Sequence, residues 1–455
     1  MRFFLFKKTF SYNLFGVRVK TVWRAPHIDN CKHINMNKKT STLAMLLFAA
    51  CVSLWGSGFQ VVEQGASNMG TALAGAVVNA NNDATAAYWN PSAAFFVESD
   101  GKIDTGASFL VPTMEFNGKA FYPDGNPIAG SNGGNAGKLA FVPNFYLVRK
   151  LTDDFLATLS VTSPFGLETC YDEDFVGRLQ GIKSNLMTLE INPSVAYKIT
   201  DWLSVSVGAS AHYVNADLTS TTYAGVPNEN YELDTRANGH SWTGSFNVGA
   251  TAKFLETGRI GVSYRYQVGH QVKGTIFVKN QLLGIDKATD ITADIDLPSS
   301  LTAGVYYRFK GDWSPFALMF DYSFTQWNLF EKLTFEDANG TVVSNTPENW
   351  RNTSRFSFGI HYYPTWDEDL VFRLGGAFDQ NPVTHAVDRT PRIPDSDRWW
   401  ASIGLGYQID WLNIDIAYTY ILFNDVEINN DDNGHIIGNY TGHAHVLSLQ
   451  AGVRW

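Results

Sequence analysis

Few residues in this 455-residue chain stand at spacings that do chemistry. His443 and His445 are two apart, which puts both imidazoles on one face of a strand. A metal would need a third ligand there, and two histidines alone make an incomplete site. No metal and no cofactor are therefore expected. A Gly-x-Ser-x-Gly elbow, a P-loop and a His-Glu-x-x-His stretch are all missing, so no catalytic residue is assigned. The three cysteines are Cys31, Cys51 and Cys170. The first two lie in or before an export segment, which leaves Cys170 as a lone thiol after processing.

The elements that would position any site are strands. From about residue 100 the chain alternates apolar and polar residues with period two. Leu189, Ile191, Val195, Tyr197 and Ile199 share one face, opposite Glu190, Asn192, Ser194 and Lys198. The pattern recurs in Phe316, Leu318, Phe320, Tyr322 and Phe324, and in the final Leu447, Leu449, Ala451, Val453 and Trp455. Short turns near 151–154, 200–202, 255–258, 311–314, 364–369 and 409–411 alternate with longer polar stretches. These lie near 113–137, 164–186, 215–240, 270–295, 326–352, 380–397 and 424–443. Thirteen connections predict about fourteen strands, an even number that suits a transmembrane antiparallel β-barrel. The fold class is all-β.

Composition points the same way. Aromatics make up 14% and charged residues only 17%, against about 25% in ordinary soluble domains. After the first sixty residues no run approaches the roughly 18 apolar residues of a spanning helix. The net charge is −10, and the basic residues crowd the first forty positions. The rest is more acidic still, which argues against nucleic acid as a partner.

Met36-Asn-Lys-Lys39 and the apolar run Leu43–Leu54 read as a signal peptide over 36–56 that starts at an internal methionine. Residues 1–35 are then an upstream extension outside the mature fold. Residues 57–99 are rich in Ala, Gly and Asn and lack strand alternation. A compact stretch of that kind ahead of a barrel at 100–455 could fill its lumen as a hatch, or plug.

Here the chain resembles the FadL-type family of outer-membrane transporters for fatty acids and aromatic hydrocarbons. The likeness rests on GFQVVEQGASNMGTALAGAVVNANNDATAAYWNPSAA from Gly58 onward, SPFGLETCYDEDFVGR (163–178) and INPSVAYKITDWLSVSVGAS (191–210). It continues in NWRNTSRFSFGIHYYP (349–364), LVFRLGGAFDQNPV (370–383) and TPRIPDSDRWWASIGLGYQI (390–409). The resemblance implies a hatch inside the barrel, a hydrophobic pocket beneath the outer loops, and an inward kink in the third strand that opens the wall. Pro164-Phe165-Gly166 is the candidate kink. By resemblance Phe59, Val61 and Glu63 sit close to the pocket, Tyr88 and Trp89 line it, and Asn90 and Pro91 lie by the lateral gap. Arg178 is the candidate contact for a substrate head group.

The resulting expectation is passive transport of hydrophobic compounds, most of all long-chain fatty acids, in the outer membrane of a Gram-negative bacterium. A monomer is expected, with outer-membrane lipid around it and barrel-assembly machinery as its partner during biogenesis. The alternatives are a general porin for small solutes and a lipid-acting outer-membrane enzyme with a Ser/His pair on its wall.

Overall fold

The computed structural model describes residues 57–455; the signal-peptide and upstream-extension assignments lie outside them. Twenty strand segments form one antiparallel sheet. The first, Gly101–Phe121, pairs with the last, His435–Arg454, over twenty residues and closes the ring. Six staves are each broken into two segments, among them Phe155–Thr162 with Gly166–Cys170, and Gly258–Arg265 with Val268–Asn280. The result is a closed barrel of fourteen strands. No helix among the described residues is long and apolar enough to cross a membrane.

Alternation decides which face is which. Phe358, Trp399 and Ile403 point outward and are each more than half exposed, while Ser357, Arg398 and Ser402 point inward and are buried. Such an apolar exterior has no stable home in water, and pairing the first strand with the last leaves neither as a free sheet edge in the lipid. All six short turns fall where expected. The long polar stretches near 113–137 and 270–295 differ from expectation, because much of each is strand: Gly101–Phe121, Val268–Asn280 and Ile285–Leu297. Beyond the bilayer both faces of a strand meet water, so the alternation fades while the ladder continues.

Residues 57–94 are almost wholly buried and lie against the inward faces of the wall. Asp321 accepts from the Gly75 and Val77 amides at 2.9 and 3.2 Å, and Asp104 accepts from the Ala84 amide at 2.7 Å. Arg259 donates to the Asn79 carbonyl, and Arg355 to that of Ala72. The wall leaves room for this segment with glycine. A Cβ at Gly375 would stand 2.2 Å from the Thr71 carbonyl carbon, and one at Gly404 2.7 Å from the Gly70 Cα. Cys170 is buried, and the other two cysteines, Cys31 and Cys51, lie outside the described residues.

Candidate functional site

The upper half of the barrel encloses an apolar cavity lined by Leu186, Val272, Ile291, Ile295 and Phe335 from the wall. These are the inward residues of strands whose outward residues there are polar, the reverse of the pattern at membrane depth. Phe59 closes the cavity from below. Its ring lies 4.9 Å from Trp327, 5.4 Å from Phe330, 5.8 Å from Trp350 and 6.2 Å from Phe165. Trp327 and Phe330 arrive on an inward excursion between the strands Phe316–Thr325 and Lys332–Asp337. Gly58 has a φ of 62°, and a Cβ there would meet the Trp350 and Trp327 rings at 2.7 and 2.8 Å. Only glycine lets the chain turn beneath those rings.

Two charged groups reach the apolar cavity, Arg392 and Glu348. Arg392 uses Nη1 to reach the Lys183 carbonyl and Ser184 Oγ, both at 3.2 Å. Its Nε and Nη2 have no hydrogen-bond partner among the described residues. Burial presses its pKa down to about 10, which leaves it cationic at neutral pH, and the nearby Glu348 opposes that shift. Burial pushes Glu348 up to about 8. An apolar chamber with one cation suits an amphiphile with an acidic end.

The third stave is broken next to this cavity. Phe155–Thr162 pairs with Ala140–Lys150 only from Phe145 to Lys150, and Gly166–Cys170 pairs along its length with its other neighbour, Lys183–Thr200, meeting the near side again only at the bridge from Thr169 to Gly137. Between residues 140–144 and 163–168 the wall has no ladder. The N-terminal segment takes up the vacant edge: Val61 N donates to Pro164 O at 2.8 Å, Gly166 N to Phe59 O at 2.9 Å, and Gln60 bridges to Phe165. The kink therefore falls at Pro164-Phe165, where a missing amide and an inward ring stop the strand.

The residues singled out from sequence are spread over this region. Phe59 lines the cavity, and Val61 packs in the adjoining cluster with Met69, Phe175 and Trp400. Glu63 is fully buried and lines neither cavity; Oε2 accepts from Val62 N at 3.0 Å, and Oε1 has no hydrogen-bond partner among the described residues. Burial raises its pKa to about 7, opposed by a backbone amide and by Arg398 and Arg355. Tyr88 and Trp89 stack edge-on at 5.0 Å and line a second, more polar cavity with Arg265, Asp321, Arg355 and Asp379. Asn90 donates to Val77 O, Thr251 Oγ1 and Ala250 O at 2.9, 3.0 and 3.3 Å, and Pro91 opens the turn Pro91–Phe96 that Asn90 caps. Those bonds fix Asn90 to the strand Leu233–Phe254, not to either edge of the gap.

Arg178 has no donor to spare. Nε and Nη2 grip both Glu232 oxygens at 2.8 Å, Nη1 reaches the Ala129 and Phe175 carbonyls, and Nη2 also meets Tyr122 Oη. It orders loops, and the free donors belong to Arg392. The pairing of Arg398 with Asp395 and Asp379, at 3.7 and 3.5 Å, is a similar brace. Arg392, Glu348 and the ring cluster were missed from sequence. The signal available was Trp327, Phe330 and Trp350, three large rings within a stretch read as a polar loop.

The model of the outer membrane protein transport protein family (OMPP1/FadL/TodX) matches residues 47–455. The chain belongs to this family. It is 26% identical to the long-chain fatty acid transport protein of Escherichia coli (strain K12), over 87% of this chain and 95% of that one. To outer membrane protein P1 of Haemophilus influenzae it is 26% identical, over 90% and 96%. In structure it is similar to a Pseudomonas aeruginosa FadL homologue, with a TM-score of 0.80, 24% identity and coverage of 87% and 99%. The Ralstonia pickettii toluene transporter TbuX shares the fold at a TM-score of 0.63 and 17% identity, with coverage of 86% and 98%. As a FadL/TodX family member, the chain is an outer-membrane barrel that transports hydrophobic compounds.

Proposed function

We propose that the substrates are long-chain fatty acids. The observation that carries this reading is Arg392, a cation with free donors at the edge of an otherwise apolar chamber. A pure hydrocarbon has no use for it, and a carboxylate does. The name borne by the E. coli relative agrees. The acyl chain is driven in by about 0.8 kcal/mol for each CH₂ removed from water. Transport then needs only a way out. Residues 57–99 act as the hatch, with Phe59, Val61 and Glu63 at its mobile end. Tyr88, Trp89, Asn90 and Pro91 form its anchored part against the wall. Ligand displaces Phe59, the bonds to Pro164 and Gly166 give way, and the substrate leaves sideways into the bilayer through the gap beside residues 140–144. An apolar solute gains nothing by entering the aqueous periplasm when lipid is adjacent. The barrel works as a monomer, delivered by assembly machinery that reads the final strand ending in Trp455.

Native mass spectrometry of the gently solubilised barrel tests the reading. A retained fatty acid that is lost on deletion of residues 57–64 is the expected result. A barrel that ignores fatty acids and conducts ions freely would replace the transporter reading with a porin.

A further inference from the structure

We propose a second lateral opening in the wall, beside the stacked rings of Phe246 and Tyr266, through which amphiphilic substrate also passes between lumen and bilayer. The inference rests on the transporter reading but concerns a different part of the wall. Leu233–Phe254 pairs with Gly258–Arg265 from Asn247 to Phe254, and with Val268–Asn280 from Asp234 to His240. Between residues 241–246 and 266–272 the ladder is reduced to one backbone bond, Tyr266 N to Phe246 O at 3.0 Å, and the register changes by one residue across the break. The next interface is interrupted at the same height. Arg265 pairs with Ser300 and Val268 with Leu297, while Pro298-Ser299 stands opposite Tyr266-Gln267 without a ladder. Pro298 has no amide to offer.

Side chains do part of the work of the missing ladder. Ser245 Oγ donates to the Tyr266 and Gln267 carbonyls at 2.9 and 3.1 Å. Phe246 and Tyr266 stack at 4.9 Å with an interplanar angle of 16°. Both rings are more than 40% exposed on the outer surface. Trp242, exposed on the same outward face two outward-facing positions beyond Phe246, marks the membrane interface.

A cavity runs behind these rings. It touches Phe246, Tyr266 and Pro298 on one side and the inward-facing Glu190, His212 and Arg265 on the other, the first two of them buried. It also touches Gln60 and Phe165, so it lies directly below the apolar chamber floored by Phe59. Unpaired backbone at membrane depth is tolerated only where it is buried in protein or lines a wet cavity, because each bare group in lipid costs several kcal/mol. Here a polar cavity backs the break, and two stacked rings, held by one backbone bond and one serine hydroxyl, separate it from lipid. An amphiphile released past Phe59 meets this shutter as readily as it meets the gap at the third stave.

Paired cysteines test the opening in a chain lacking Cys170. Ser245→Cys with Gln267→Cys closes the shutter under oxidation, and Asn144→Cys with Thr162→Cys closes the gap at the third stave. Uptake of radiolabelled oleate is followed in a Gram-negative host without its own fatty-acid transporter. Closing the shutter should cause a partial loss that reductant reverses, and closing both sites a complete loss. Unchanged uptake with the shutter closed, or complete loss from the third-stave pair alone, overturns the proposal. A second measurement needs no transport. Val268→Cys, buried behind the shutter, should react in proteoliposomes with a maleimide carried on a phospholipid acyl chain, whereas Val272→Cys further up the lumen should not. Failure of Val268→Cys to react also overturns the opening. If the unmodified chain moves no oleate, the fatty-acid reading fails, and the labelling still decides the opening.

Discussion

Replacing Arg392 with methionine separates recognition of the acid from burial of the chain. The side chain keeps much of its apolar stem and loses the guanidinium. Nη1 is spent on Lys183 O and Ser184 Oγ, so Nε and Nη2 are the donors a carboxylate would use. Hydrogen bonds to a charged group contribute about 1.5–3 kcal/mol. Their loss should weaken oleate roughly ten- to a hundred-fold. Oleyl alcohol, with the same tail and no charge, should change by much less. The assay is displacement of a bound fluorescent fatty acid from the solubilised barrel, with both competitors measured on wild type, Arg392→Met and Arg392→Lys. Lysine keeps the charge and should recover part of the affinity. Equal losses for acid and alcohol would mean that the mutation only disturbs the loop held at Lys183, and an unchanged oleate affinity would place the carboxylate elsewhere.

Phe59→Ala removes four ring contacts from a fully buried site, a change worth about 3–5 kcal/mol in a packed core. Because those contacts join the N-terminal segment to the wall, hydrogen exchange at residues 57–64 should rise sharply while the thermal midpoint of the barrel stays put. Gly375→Val drives a side chain into the Thr71 backbone, so the segment must shift and ion conductance in planar bilayers should increase; wild-type conductance would show that the segment does not block the lumen. Glu63 takes up its proton near pH 7 in the seated segment against 4.5 when free. Seating is thus fully favoured below 4.5 and weakens as pH rises through 7, since the seated state binds the proton more tightly. Exchange at residues 57–64, corrected for its intrinsic pH dependence, should be faster at alkaline than at mildly acidic pH, and Glu63→Gln should abolish the difference.

The barrel was legible because a membrane wall imposes one rule on every strand, apolar outward and polar inward, and the rule repeats from Phe155 to Trp455. Turns were legible for a related reason: short polar breaks interrupt an otherwise strict alternation. What stayed hidden was the lumen. Arg178 and Arg392 are both loop arginines near aromatic residues, and nothing local distinguishes them. Glu232 is fifty-four positions from Arg178 and consumes its donors, whereas Lys183 and Ser184 use only one nitrogen of Arg392. The difference is tertiary. Likewise Asn90 sits in a stretch that reads as part of a hatch, yet its partners, Ala250 and Thr251, lie 160 and 161 residues away on a wall strand. The kink was legible at Pro164, where one residue type forbids the ladder. The second break was not, because Tyr266 and Gln267 are ordinary strand residues; Pro298 removes a ladder amide on one side of them, and no residue among 241–246 marks the loss on the other.

The way the N-terminal segment is held explains how ligand could act on the wall. From Ala72 to Ala84 its backbone is bound by charged wall side chains, Asp321, Asp104, Arg259 and Arg355, and the Asn90 side chain is bound by Thr251. These bonds are spread around the ring, and losing any one leaves the others in place. Phe59 is held differently. Its side chain floors the cavity, and its own carbonyl accepts from Gly166 at the kinked edge. A ligand cannot occupy the space of that ring without moving the residue, and the residue cannot move without straining a bond at the gap. Recognition and opening are therefore joined through one amino acid, with no relay between them. This requires coupling to be local: perturbing the anchored stretch, as with Thr251→Ala beside Asn90, should alter seating of the whole segment but leave unchanged the ratio of oleate affinity to third-stave opening. If that ratio moved instead, as read by cysteine accessibility at Asn144→Cys with and without oleate, the signal would have to travel through the anchor, and the single-residue link at Phe59 would be wrong.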